Sequence, residues 1–151
     1  MPPEAEYSNI LGTSLPFLFP LTIAVSAALS EEFAFRLFSI SLLKKYLRVS
    51  WVAVLLPALI WAFAHSNYPV FPVYVRGIEL TVAGIVFGIV FLRCGLETVI
   101  IAHYVIDALL VALPLLKSHN AYFVFSGAVV IVLAFLPLAV LPVIARRIRA
   151  A

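Results

Sequence analysis

The chain has 151 residues, of which 65% are hydrophobic and 11% charged, with a formal net charge of +3 and a mean hydropathy of +1.17. A soluble domain carries about 45–50% apolar and about 25% charged residues, and at this size still exposes roughly 30% of its unfolded surface, so water is excluded as the surrounding solvent. The same hydrophobicity excludes disorder, the scatter of the ten basic residues excludes a nucleic-acid surface, and the single cysteine, Cys94, excludes a disulfide scaffold.

Residues 1–12 carry Glu4 and Glu6 but no basic residue, unlike the start of a secretory signal, and read as an exposed lead-in to one membrane-embedded domain over residues 13–151. About 20 apolar residues in a helix cross a bilayer core of about 30 Å, and five stretches suit such spans. The first helix is expected over residues 15–46, longer than one crossing needs and polar at its middle. The second, over residues 51–64, is shorter, contains Pro57, and is ended by Asn67, Pro69 and Pro72. The third runs over residues 73–92, where Gly84 and Gly88 form a small-xxx-small pair that predicts close helix packing. The fourth covers residues 96–116, and the fifth covers 122–145 with a kink expected at Pro137 and Pro142. Tyr46, Trp51, Tyr68, Tyr74 and Tyr122 fall near span ends, as interfacial anchors do. The expected fold is therefore all-α: a polytopic integral membrane helical bundle of about five transmembrane helices around a polar intramembrane cavity.

Five spans alternate sides. Lys44, Lys45, Arg48, Arg93, Arg146, Arg147 and Arg149 then share one side, while Arg76 and Lys117 take the other with Glu4 and Glu6. The positive-inside rule places the C-terminus in the cytoplasm and the N-terminus outside, with the plasma membrane of a prokaryote as the expected location.

Glu31, Glu32 and Arg36 interrupt the first apolar helix, where a charged side chain costs about 2.5–3.5 kcal/mol on insertion scales. Glu32 and Arg36 are four apart and suit an internal ion pair. Adjacent α-helical residues point about 100° apart, so Glu31 calls for a second partner. His65 and His103 are the candidates, and His103 shares a helix face with Asp107 one turn on. Six ionisable groups at membrane depth are satisfied by facing one another or water, which predicts the polar cavity and marks them as functional candidates. His119, in the loop over residues 117–120, reads as solvated, and Cys94 as unreactive. The zinc-protease HExxH, the GxSxG serine elbow and a pair of intramembrane aspartates are absent from the sequence, leaving glutamate with histidine as the hydrolytic chemistry.

Three motifs stand in order: Glu31-Glu32-Phe33-Ala34-Phe35-Arg36 matches EExxxR, Trp61-xxx-His65 resembles FxxxH, and His103-xxx-Asp107 matches HxxxN/D. On these residues the chain resembles the CAAX-protease and bacteriocin-processing (CPBP, or Abi) family of membrane proteins, relatives of the type II CAAX prenyl proteases. The resemblance covers a motif-bearing core of about residues 15–116. It implies an intramembrane endopeptidase that hydrolyses a peptide bond in a membrane-anchored or lipidated peptide or protein. Glu31 would be the general base that activates water, and His65 would orient or share that proton. His103 and Asp107 would hold the carbonyl oxygen as it becomes an oxyanion, and Glu32 with Arg36 would fix the helix geometry.

Three positions depart from the family's pattern: Trp61 stands for the usual Phe, Leu37 for a small residue after the arginine, and Asp107 for Asn. Asp107 would act protonated, as an orienting partner of His103, or as a metal ligand. The favoured mechanism uses no metal or other cofactor. The alternative is zinc held by His65, His103 and a carboxylate from Glu31 or Asp107. Straight spans put His65 nearer the outer end than His103, and a bent second helix or a re-entrant loop over residues 66–75 would bring them level. Family members with further spans ahead of the first motif imply that this shorter chain is a minimal version, a truncated product, or one that closes its cavity with an oligomer or an additional membrane subunit. The partners expected are the membrane-anchored substrate and the lipid bilayer, with no nucleic acid. The competing function is a non-catalytic membrane scaffold or bacteriocin self-immunity protein that binds through the same cavity. A proton-coupled transporter ranks lower, since the spans show no paired repeat.

Overall fold

The computed structural model describes residues 12–47, 49–65 and 71–150, with side chains as far as residue 140. Among these every regular element is a helix. Helix α1 (Leu18–Glu31) runs directly into a π-helical segment (Glu32–Ile40) and then into α2 (Ser41–Leu47). Helices α3 (Ser50–Ala64), α4 (Val73–Cys94), α5 (Leu96–Leu116) and α6 (Ala121–Ala150) follow. Four runs are long and apolar enough to cross a membrane: Leu18–Leu47, Val73–Cys94, Leu96–Leu116 and Ala121–Val140. Helix α3 is the shorter apolar element, and its 15 residues reach only about 22 Å.

The chain is therefore a multi-pass integral membrane protein, as its composition requires. The outward surface agrees: Phe38, Val132 and Phe125 are exposed on helices where only hydrocarbon is a suitable solvent. An open apolar groove runs along the outer face of the first helical run, lined by Phe33, Leu37, Phe38, Ser41 and Leu42, with Lys45 at its end. Tyr46, Trp51, Tyr74 and Tyr122 lie exposed at helix ends, where amphipathic rings meet headgroups. Pro57, Pro114, Pro137 and Pro142 all lie inside helices that continue past them. The expected lead-in up to residue 11, residue 48, and positions 66–70 of the suggested re-entrant loop lie outside the described residues; from Val73 onward that stretch is helix α4.

Two units are distinguished by their internal packing. The first comprises residues 27–100. Its centre is the α3 and α4 pair, brought close by residues without side-chain bulk. A Cβ built on Gly84 would stand 3.0 Å from Ala58 Cβ, and one on Gly88 would stand 2.7 Å from Val54 Cγ1. The small-xxx-small pair thus does what its spacing predicts, letting backbones approach where lipid provides no hydrophobic driving force. Gly95 then ends α4 with φ +89°, a left-handed backbone suited to glycine, and Leu96 starts α5 at once.

The second unit comprises residues 101–150 with residues 12–26. Its core is again small: Ala24, Ala108, Ala112, Val130 and Ala134 are fully buried, with Phe17, Leu21, Tyr104 and Ile131 around them. Two tyrosine hydroxyls tie its elements, Tyr104 donating to the Leu133 carbonyl at 3.3 Å and Tyr122 to the Ser14 carbonyl at 2.7 Å.

Gly88→Leu is expected to lower stability by about 1–3 kcal/mol, because the added side chain meets the stiff Val54. Val82→Leu, on the exposed face of α4, serves as the control and is expected to be neutral. Reversible unfolding in detergent checks both, and equal losses would show that the glycine contact does not govern the packing.

Candidate active site

The three charges of the first helix sit where it changes from α to π winding. In the π form each backbone N–H bonds to the carbonyl five residues back, which widens the turn. Ser39 follows the same register with its hydroxyl, donating to the Ala34 carbonyl at 2.7 Å. Glu32 and Arg36 form the ion pair expected from their spacing, with Nη1 to Oε1 at 3.0 Å and side chains only 0% and 2% exposed. Arg36 is also one π turn from Glu31, and its charge attracts that carboxylate too. Arg36 thus pairs with Glu32 and leaves Glu31 to a second partner, as the sequence spacing leads one to expect.

The guanidinium is covered by aromatic faces. Its Cζ lies 4.6 Å from the centroid of the Trp61 ring and 5.2 Å from that of Phe87. A desolvated cation over such a ring gains about 2 kcal/mol, and the weakly hydrated guanidinium is the cation best suited to the position.

Glu31 differs from its neighbour. Its carboxylate remains 23% exposed, and it faces His65, 22% exposed, with Oε1 3.7 Å from Nε2. Its Oε2 accepts a hydrogen bond from the indole N–H of Trp61. His65 is held by the helix end it closes. Its backbone N–H turns to the Ala62 carbonyl at 3.1 Å, a tightened last turn, and its ring Nδ1 takes the Trp61 carbonyl at 2.7 Å. A carbonyl oxygen only accepts, so Nδ1 carries the hydrogen and Nε2 is the nitrogen presented to Glu31. The second partner that Glu31 was expected to need is thus His65, joined by Trp61. Trp61 carries a usable signal: an indole buried within an apolar helix, away from the interfacial belt, must place its N–H somewhere.

In the second unit, His103 and Asp107 share a face of α5, with Nε2 3.3 Å from Oδ2; His103 is buried and Asp107 half-buried. The structure therefore brings the sequence candidates together as three pairs: Glu31 with His65 and Glu32 with Arg36 in the first unit, His103 with Asp107 in the second. His119 and Cys94 are exposed. A catalytic zinc takes three protein ligands and one open position. Among the described residues no group of three or more His, Cys, Asp or Glu side chains is arranged to hold a metal.

The profile of the type II CAAX prenyl endopeptidase Rce1-like family matches residues 13–109. The chain belongs to this family. All three motifs of this Rce1-like chain fall inside the match. The sporulation-killing factor biosynthesis protein SkfC of Bacillus subtilis (strain 168) is 23% identical over 113 residues, which is 75% of this chain and 23% of that protein. The Rce1-like chain thus spans about a quarter of the length of this curated relative, 23% of it. No solved structure shows a significant match.

Arg36→Ala leaves the buried Glu32 carboxylate without its counter-ion and is expected to cost about 3–5 kcal/mol. Replacing both residues with Leu removes the two charges together and should recover most of that loss. Detergent unfolding of the two variants decides whether the ion pair is structural; an Arg36→Ala protein as stable as wild type would show that it is not.

Proposed function

We propose that this Rce1-like protein is an intramembrane endopeptidase that hydrolyses a peptide bond in a membrane-anchored peptide or protein, with Glu31 as the base. The observation that carries the reading is the unequal treatment of two adjacent acids: Glu32 is buried against Arg36, while Glu31 is kept accessible and aimed at His65. A carboxylate used only for structure has no need of solvent access.

The Glu31 and His65 acceptors are 3.7 Å apart, too far for a direct hydrogen bond but suited to one water donating to both at about 2.8 Å. In the proposed reaction Glu31 Oε1 removes a proton from that water as its oxygen bonds to the substrate carbonyl carbon. The tetrahedral species then collapses with rupture of the carbon–nitrogen bond. The proton taken up passes to the leaving amine, directly or by way of His65 Nε2, so the site ends as it began. The motif order along the chain supports giving His103 and Asp107 the oxyanion role, with Asp107 accepting the Nε2–H of His103 and a protonated ring donating to the oxyanion from Nδ1. The relative is a biosynthesis protein for a sporulation-killing factor, which favours processing of a substrate over self-immunity.

The test is a panel of prenylated and unmodified peptides tethered to vesicles holding the purified protein, with products read by mass spectrometry. Glu31→Gln is expected to abolish cleavage and keep its melting behaviour, because the amide preserves shape and loses basicity. Turnover equal to wild type would remove Glu31 from the mechanism, and peptide binding without any cleavage would favour a scaffold. In the same assay Asp107→Asn should lower turnover without abolishing it, since the amide still accepts a hydrogen bond from His103 but no longer stabilises its positive charge. Complete loss accompanied by loss of bound zinc would favour the metal mechanism.

The proposed setting is the plasma membrane of a prokaryote with the C-terminus in the cytoplasm; with the short helix α3 taken as a fifth crossing, the clustering of basic residues that five crossings give supports it. A reporter fused after Ala151 should read cytoplasmic, and one inserted in the loop over residues 117–120 should read external. The reverse pattern would invert the side from which substrate enters.

A further inference from the structure

We infer that Trp61 is a positioning residue, fixing the Glu31 carboxylate and the His65 ring at once through its indole N–H and its backbone carbonyl. The inference rests on the endopeptidase reading for its kinetic consequence, and on geometry alone for the tether itself. Trp61 is 4% exposed. Its indole N–H donates to Glu31 Oε2, its carbonyl accepts from His65 Nδ1 at 2.7 Å, and its ring meets the His65 ring edge-on at 5.1 Å and 63°. The opposite demand on the ring comes from Arg36, whose guanidinium lies 4.6 Å from the centroid. Gly84 closes the space behind: a Cβ there would lie 3.1 Å from Trp61 Cε3, so the indole has little freedom to turn.

These contacts separate the two acids. A carboxylate five residues from Arg36 in a π turn can swing toward the guanidinium. With Oε2 held by the indole, Glu31 is kept on the His65 side and Oε1 is the oxygen presented to Nε2. Phenylalanine would preserve the ring over Arg36 and the backbone carbonyl to His65 while removing the N–H. The expected effect of Trp61→Phe is therefore a loss of alignment: kcat down by about 10²-fold, as for a reacting group displaced by about 1 Å, with KM unchanged. A purely structural role would instead lower the melting temperature and leave kcat of the folded fraction intact.

The chain has two tryptophans, and Trp51, 68% exposed, is an internal reference. In indole-15N-labelled protein in lipid nanodiscs, Trp61→Phe identifies the Trp61 N–H resonance. That resonance is expected downfield and slow to exchange with solvent. In Glu31→Ala it should move upfield and exchange faster, with a smaller change in Glu31→Gln, which keeps an acceptor oxygen and serves if the alanine variant fails to fold. The Trp51 resonance should not move. A Trp61 resonance indifferent to both substitutions overturns the tether, and a moved resonance with unchanged kcat in Trp61→Phe overturns the positioning role. Absence of cleavage by the wild-type protein, with the resonance shifted as expected, overturns the endopeptidase reading and upholds the tether.

Discussion

A guanidinium and a carboxylate buried in a helix that crosses hydrocarbon set the terms for the surrounding structure. Burying either Arg36 or Glu32 alone would leave an uncompensated charge, and the 3.0 Å ion pair supplies the offsetting attraction. The pair also has to be covered. Trp61 from α3 and Phe87 from α4 supply the aromatic faces, and they reach Arg36 because Gly84 and Gly88 let α4 lie against α3 without intervening Cβ atoms. Helix spacing in the first unit thus follows from the need to keep a cation out of lipid, a stronger requirement than apolar packing, since lipid tails compete equally for apolar surfaces.

On that foundation one acid is made inert and its neighbour is kept available. The π winding makes this possible without a loop, which hydrocarbon would not tolerate. It places Arg36 four residues from Glu32 and one turn from Glu31, so a single cation offsets charge on both while bonding to one. π-helical turns of this kind are rare and concentrate at functional sites, because their poorer backbone packing persists only where side chains compensate. Here the compensation is an ion pair, a cation–π stack and the Ser39 hydroxyl bond to Ala34.

The second unit handles polarity with the same economy. His103 and Asp107 satisfy each other across one turn of α5, and the small core residues Ala108 and Ala112 lie on the same helix. An aspartate at that position, rather than the asparagine of the resembled motif, gives the imidazole a carboxylate partner.

Much of this was legible in the residues. Charge-free length against the thickness of a bilayer placed the helices, and the observed starts of α3 to α6 fall within one residue of those expected, because apolar length is a local property of the chain. The Glu32 and Arg36 pair, the His103 and Asp107 pair and the close approach at Gly84 and Gly88 were likewise visible, being contacts set by helical spacing or by the absence of a side chain. The π winding was not, since an i, i+4 charge pair looks the same in either helix and only surrounding contacts make the wider turn stable. Nor was it legible which histidine Glu31 would face or that Trp61 would hold its other oxygen. Those contacts join residues 30 or more positions apart, and their geometry depends on how closely one helix lies against the next.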